Sequence, residues 1–202
     1  FTYNESLFYL MFFTCVLGLG YHMPLVPKPL QKFFRYKTLK DIPTSRDLFV
    51  SLAWATVLTF SPQCLNGTIL FKPSSIITFC WIFLVAFFRS LIFDLRDIEG
   101  DRIMGRETLI TIVGEKKARK ATFMMICICI VALLLFPLLI GPNIYLHQNT
   151  IRFFFQLPVL FYALSFLKWN PRFGHNRSAM FNLFADGLFY LAGLGALIAS
   201  ML

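Results

Sequence analysis

The chain is 202 residues long, 57% hydrophobic and only 14% charged, with 25 phenylalanines and a mean hydropathy of +0.68. That apolar share exceeds the roughly 45–50% of soluble domains, which excludes an ordinary soluble protein and indicates an integral membrane protein. The formal net charge of +9 does not indicate nucleic-acid binding, because the basic residues are distributed by alternate loops and not gathered in one patch.

The first uncharged run, Ser6 to His22, predicts a membrane helix. It lacks a basic region before it and a small-residue cleavage site after it, so it does not read as a cleavable secretory signal. A loop from Met23 to Arg46 follows, carrying Lys28, Lys32, Arg35, Lys37, Lys40 and Arg46. Uncharged runs then extend from Leu48 to Phe71 and from Pro73 to Phe88, the second leading into RSLIFDLRDIEGDRIMGRETL over residues 89–109. After a basic loop come Ala121 to Ile151, Phe153 to Leu167 and Ser178 to Leu202, the last interrupted only by Asp186. Most of these runs approach or exceed the roughly 20 residues that cross a bilayer. The expected fold is therefore all-α: one polytopic bundle over residues 1–202 with six transmembrane helices.

Orientation follows from the positive charges. Sixteen of the 19 basic residues lie in the loops 23–46 and 94–120 and in the turn before the last span, whereas the opposite loops hold only Lys72 and Arg152. By the positive-inside rule the three basic loops face the cytoplasm and the N-terminus begins outside. Cys15, Cys64, Cys80, Cys127 and Cys129 have no CxxC spacing and read as small membrane-core residues. Gly187, Gly193 and Gly195 read as marks of close helix contact, and Asp186 as a structural hydrogen-bonding residue.

Asp94, Asp97 and Asp101 stand at i, i+3 and i+7 where an apolar run meets a basic loop. On a helix they fall within about 60° of one another, with Glu99 on roughly the opposite side. Carboxylates crowded in this way repel unless a cation joins them, and their oxygens suit Mg²⁺, which is usually held by one or two carboxylates with water and substrate phosphate. Spacing alone is equally compatible with a solvated helix end whose acids pair with Arg96, Arg102 and Arg106. Arg89 lies within a span, where an unpaired charge costs at least about 2.5 kcal/mol on insertion scales. It is expected either to face the bundle interior, against an acid or a phosphate, or to snorkel to the interface.

The segment FDLRDIEGDRIMGRETL resembles the second Asp-rich motif of the UbiA superfamily of intramembrane prenyltransferases, which includes homogentisate prenyltransferases, chlorophyll synthase and digeranylgeranylglyceryl phosphate synthase. The run from Asp94 through Gly100, Gly105, Thr108 and Leu109 matches D-x-x-D-x-E-G-D-x-x-x-G-x-x-[ST]-[LF] at every fixed place, and Gly114 fits a following glycine. The resemblance implies that the six spans correspond to helices four to nine of a nine-helix bundle. It also implies an N-terminal part ahead of Phe1 bearing the first motif, typically N-D-x-x-D-x-x-x-D, which nothing before Ser6 supplies. The loop after the first span is similar, loosely, to the family's diphosphate-contacting connection through Tyr21, Pro24, Lys28 and Lys32.

The implied enzyme is a Mg²⁺-dependent prenyltransferase that moves a prenyl group from a prenyl diphosphate to a lipophilic aromatic or alcohol acceptor in isoprenoid quinone, pigment or lipid biosynthesis. Asp94, Asp97 and Asp101 are the candidate catalytic and metal-binding residues; Lys28, Lys32, Arg102, Arg89 and Tyr21 are the candidates for diphosphate. The second reading is a non-catalytic membrane subunit with the same bundle, a scaffold or a lipid or quinone binder among the partner subunits of a larger complex.

Overall fold

The computed structural model describes residues 5–24, 38–39, 42, 45–66, 73–105, 108–140, 156–169 and 178–201. Among these the chain forms seven helices: α1 (Glu5–His22), α2 (Ser45–Leu65), α3 (Pro73–Ile103), α4 (Leu109–Val113), α5 (Glu115–Ile140), α6 (Leu157–Trp169) and α7 (Ser178–Met201). The one extended pairing among the described residues joins Pro24 to Thr38. Six helices fall on the six apolar runs. Segments of three of them, Ser45–Leu65, Ser75–Ile98 and Phe181–Ala199, are individually long and apolar enough to cross a bilayer.

Helix boundaries depart from the charge boundaries in two places. The segment 94–120, expected to be a loop, is largely helical: α3 continues through Ile103, α4 follows, and α5 begins at Glu115. Likewise α2 starts at Ser45 and takes in Arg46 and Asp47, ahead of the uncharged run. Charge marks where hydrocarbon ends, whereas Glu, Lys and Arg are good helix formers and let a helix continue into the interface.

Contacts divide the chain into two compact units, Phe1–Ser90 with Asp97–Ile112, and Leu91–Arg96 with Val113–Leu202. In the first, α1 packs on α2. The buried face of α2 consists of Asp47, Ser51, Ala55 and Thr59 at four-residue spacing, while Leu48, Leu52, Trp54 and Leu58 are exposed. This inverts the water-soluble pattern: in lipid, apolar side chains gain nothing by turning inward, and small residues let helix backbones approach. Phe8, Tyr9, Phe12, Phe13 and Leu19 are similarly exposed along α1. The Tyr21 ring packs on Phe49 with centroids 4.8 Å apart, and Phe60 of α2 lies 5.8 Å from Phe79 of α3. Ser75 Oγ donates to Gln63 Oε1 (3.1 Å), adding a polar tie between the same two helices.

In the second unit, α5 packs on α6 and α6 on α7. Ile126, Val159, Leu160, Ala163, Ala185 and Leu188 form its most buried apolar set. Gln156 Nε2 donates to the carbonyl of Ala192 (3.3 Å), and a Cβ at Gly187 would stand 2.8 Å from the Tyr162 hydroxyl, so Gly187 does mark a close approach of α6 and α7. Gly193 does not mark one among the described residues, since a Cβ there would meet none of their atoms within 4 Å.

Two glycines and a threonine shape the connection after α3. Gly105 adopts φ +65° and ends α3, its N–H bonding the carbonyl of Arg102 (3.2 Å). Thr108 then caps α4: its Oγ1 accepts from the N–H of Thr111 (3.3 Å), while Thr111 Oγ1 accepts from the N–H of Thr108 (2.8 Å). Gly114, at φ +90°, separates α4 from α5. These positions therefore have structural reasons to be what they are. Gly100 has none of this kind: it lies within α3, and a Cβ there would meet nothing within 4 Å among the described residues. Gly105→Ala is accordingly expected to lower stability by about 1–2 kcal/mol through left-handed strain. Gly100→Ala should raise it by up to about 1 kcal/mol through helix propensity. Thermal melts of the two variants in one detergent check the contrast, and equal shifts would refute it.

Candidate active site at the end of α3

The 31 residues of α3 make it about 46 Å long, more than the roughly 30 Å of hydrocarbon it has to cross. Asp94, Asp97 and Asp101 occupy the last three turns of α3, at and beyond the end of the candidate span Ser75–Ile98. Their environments differ. Asp94 is 1% exposed and Asp101 6%, whereas Asp97 is exposed. Oδ2 of Asp94 and Oδ2 of Asp101 are buried and accept no hydrogen bond among the described residues, although both residues interact otherwise. The side chain of Glu99 lies outside the described set.

Cationic candidates are spread along the helix. Arg89 is half-buried one turn inside the acid motif, and Arg102 is exposed in the last turn. Tyr21 is half-buried at the end of α1, with its hydroxyl 3.4 Å from Ser45 Oγ at the start of α2. Lys28 and Lys32 lie outside the described residues. Arg96, named in the ion-pair reading of the motif, donates to Asn182 Oδ1 (2.7 Å), and its guanidinium lies over the rings of Phe93 (5.1 Å) and Phe181 (4.8 Å). It thereby ties this turn of α3 to the beginning of α7.

A family model described as the UbiA prenyltransferase family matches residues 1–191. The chain belongs to that family. No curated protein and no solved structure matches it. This UbiA-family chain is thus an all-helical integral membrane protein of the intramembrane prenyltransferase kind.

UbiA-family enzymes are typically Mg²⁺-dependent, and the donors on α3 suit that ion in type. Asp94, Asp97 and Asp101 offer only carboxylate oxygens, and burial of two carboxylates creates a demand for positive charge. Asp94 and Asp101 are about 10.5 Å apart in helical rise, too far to share one ion, whereas Asp97 lies about one turn from each. Among the described residues no three His, Cys, Asp or Glu side chains gather into a ready metal cage. The set therefore fits a cation held by one or two carboxylates, with phosphate and water completing its shell.

Sequence reading did not single out Asp47. It is 1% exposed in the first turn of α2, accepts a hydrogen bond from Ser90 Oγ (2.5 Å), and has Arg46 Nε 3.6 Å from Oδ1. Ser90 stands one turn before Asp94 on α3, so the Asp47 carboxylate anchors the motif helix just inside the acid motif. An acid at the very start of an apolar run was the available signal, since a buried carboxylate in a membrane helix needs a partner.

Proposed function

We propose that this UbiA-family protein is a Mg²⁺-dependent prenyltransferase that moves a prenyl group from an allylic diphosphate to an aromatic or alcohol acceptor in isoprenoid quinone, pigment or lipid biosynthesis. The observation that carries the reading is the pair of buried carboxylates, Asp94 and Asp101, with Asp97 between them, at the end of a helix long enough to deliver them past the hydrocarbon core. In the reaction the bond between the prenyl C1 carbon and the diphosphate oxygen breaks, its electron pair leaving with diphosphate. C1 then bonds to the acceptor, which gives up a proton. Mg²⁺, when bound, supplies Lewis-acid neutralisation of the charge building on the leaving group.

The chain's own residues do the positioning. The α3 carboxylates would hold Mg²⁺ at the membrane surface, where it would offset the charge on the diphosphate end of the donor, while the prenyl tail stays in the apolar region. Arg89 and Arg102, with Tyr21 at the end of α1 and Lys28 and Lys32 of the first basic loop, are assigned to the diphosphate oxygens, where fixed donors act on charge as it develops. The concentration of basic residues in the same loops assigns this end to the cytoplasmic side.

The test is transfer from a radiolabelled allylic diphosphate by the full-length protein in vesicles, offered a panel of aromatic and alcohol acceptors. Transfer is expected with Mg²⁺ and is expected to stop on chelation with EDTA. If neither transfer nor Mg²⁺-dependent binding of any allylic diphosphate occurs, the non-catalytic subunit reading replaces this one.

A further inference from the structure

Within the second unit, the beginning of α5 and the end of α6 enclose a cleft of about 510 Å³ lined by Lys116, Arg119, Lys120, Phe123, Leu167 and Lys168. Four of the six side chains are cationic. Arg119 is already engaged twice, through NH2 to Glu115 Oε1 (3.1 Å) and through NH1 to the carbonyl of Leu167 in the last turn of α6 (2.8 Å). The second of these bonds ties the beginning of α5 to the end of α6, while the first stays within α5. Lys116, Lys120 and Lys168 are exposed, and none has a carboxylate partner among the described residues.

Polarity across the cleft is graded. Lys116, Lys120 and Phe123 follow one face of α5 at i, i+4 and i+7, so the ring lies about one turn beyond Lys120 and two beyond Lys116. Phe123 is 44% exposed and Leu167 is buried, at the level where the apolar run of α5 begins. Ammonium groups at the membrane surface with an aromatic ring beneath them present the same order as a phospholipid, phosphate above and acyl chain below. The positive-inside rule explains basic residues near helix ends, but it does not require them to converge from two helices whose contact spans 48 positions of sequence. Basic clefts between membrane helices are suited to anionic headgroups.

We propose that this cleft binds an anionic phospholipid, with the headgroup phosphate against Lys116, Lys120 and Lys168 and an acyl chain along Phe123. A free phosphate or diphosphate would use the same ammonium groups but would leave the apolar part of the cleft unfilled. The cleft uses none of the residues of the acid motif of α3.

Native mass spectrometry of the full-length protein in detergent, offered equimolar phosphatidylglycerol and phosphatidylcholine without any prenyl donor, tests the proposal apart from catalysis. Phosphatidylglycerol is expected to be retained about tenfold over phosphatidylcholine, in keeping with a multi-lysine headgroup site. The pair Lys120→Gln with Lys168→Gln should bring the ratio to near parity, and Lys120→Arg with Lys168→Arg should preserve it, which separates lost charge from misfolding. The pair Lys72→Gln with Arg152→Gln, from the opposite loops, should leave it unchanged. Equal retention of both lipids by the unmodified protein overturns the proposal. So does phosphatidylglycerol retention that survives both glutamines, or binding of inorganic diphosphate at the two lysines with no lipid preference.

Discussion

Replacing Asp97 with alanine in the full-length protein should reduce prenyl transfer by about a hundredfold or more, the scale seen when one preorganised electrostatic contact to a developing charge is removed. Its thermal midpoint should stay close to that of the unmodified protein. The two readouts separate because Asp97 is exposed, so truncating it leaves no buried group behind, and because like-charge repulsion from Asp94 and Asp101 is relieved. The lost interaction matters most when charge builds on the departing diphosphate, so it acts on turnover more than on folding. Steady-state rates against Mg²⁺ concentration, paired with melts in the same detergent, check this. Unchanged transfer would remove Asp97 from the catalytic set.

Asp47→Ala should cost stability, by about 1–2 kcal/mol, since hydrogen bonds to charged groups contribute about 1.5–3 kcal/mol in soluble proteins and interhelical ones in membranes average about 0.6, reaching about 1.7. The Asp47 carboxylate is buried and accepts from the half-buried Ser90, so truncation leaves that hydroxyl without its acceptor. Asp47→Asn keeps an acceptor oxygen and should lose less than half as much. A double-mutant cycle with Ser90→Ala, read by unfolding in mixed detergent, should give a coupling of about 0.6–1.7 kcal/mol. Strictly additive effects would mean that the contact contributes nothing to holding α2 against α3.

The acid motif illustrates how far local information reaches. Helical spacing places Asp94, Asp97 and Asp101 on one face, and α3 carries all three in one continuous helix. Yet spacing treats the three as equivalent, whereas the fold buries Asp94 and Asp101 and exposes Asp97. Which edge of a helical face is covered depends on neighbouring elements, and those are set by contacts remote in sequence.

The amino-acid sequence by itself determined that this is a helical membrane protein, where its apolar runs lie, and which acids share a helix face at the end of the third run. These are one-dimensional properties, because a bilayer of fixed thickness demands apolar stretches of fixed length and because the helical repeat converts spacing directly into direction. Only the tertiary structure decided that α2 turns Ser51, Ala55 and Thr59 inward, that Asp47 receives Ser90, that Arg96 engages Asn182 and Phe181, and that Lys120 and Lys168 line one cleft. The last three each join residues dozens of positions apart, and in lipid no hydrophobic pattern marks the inward face of a helix such as α2; small size and hydrogen bonding across helices choose it instead.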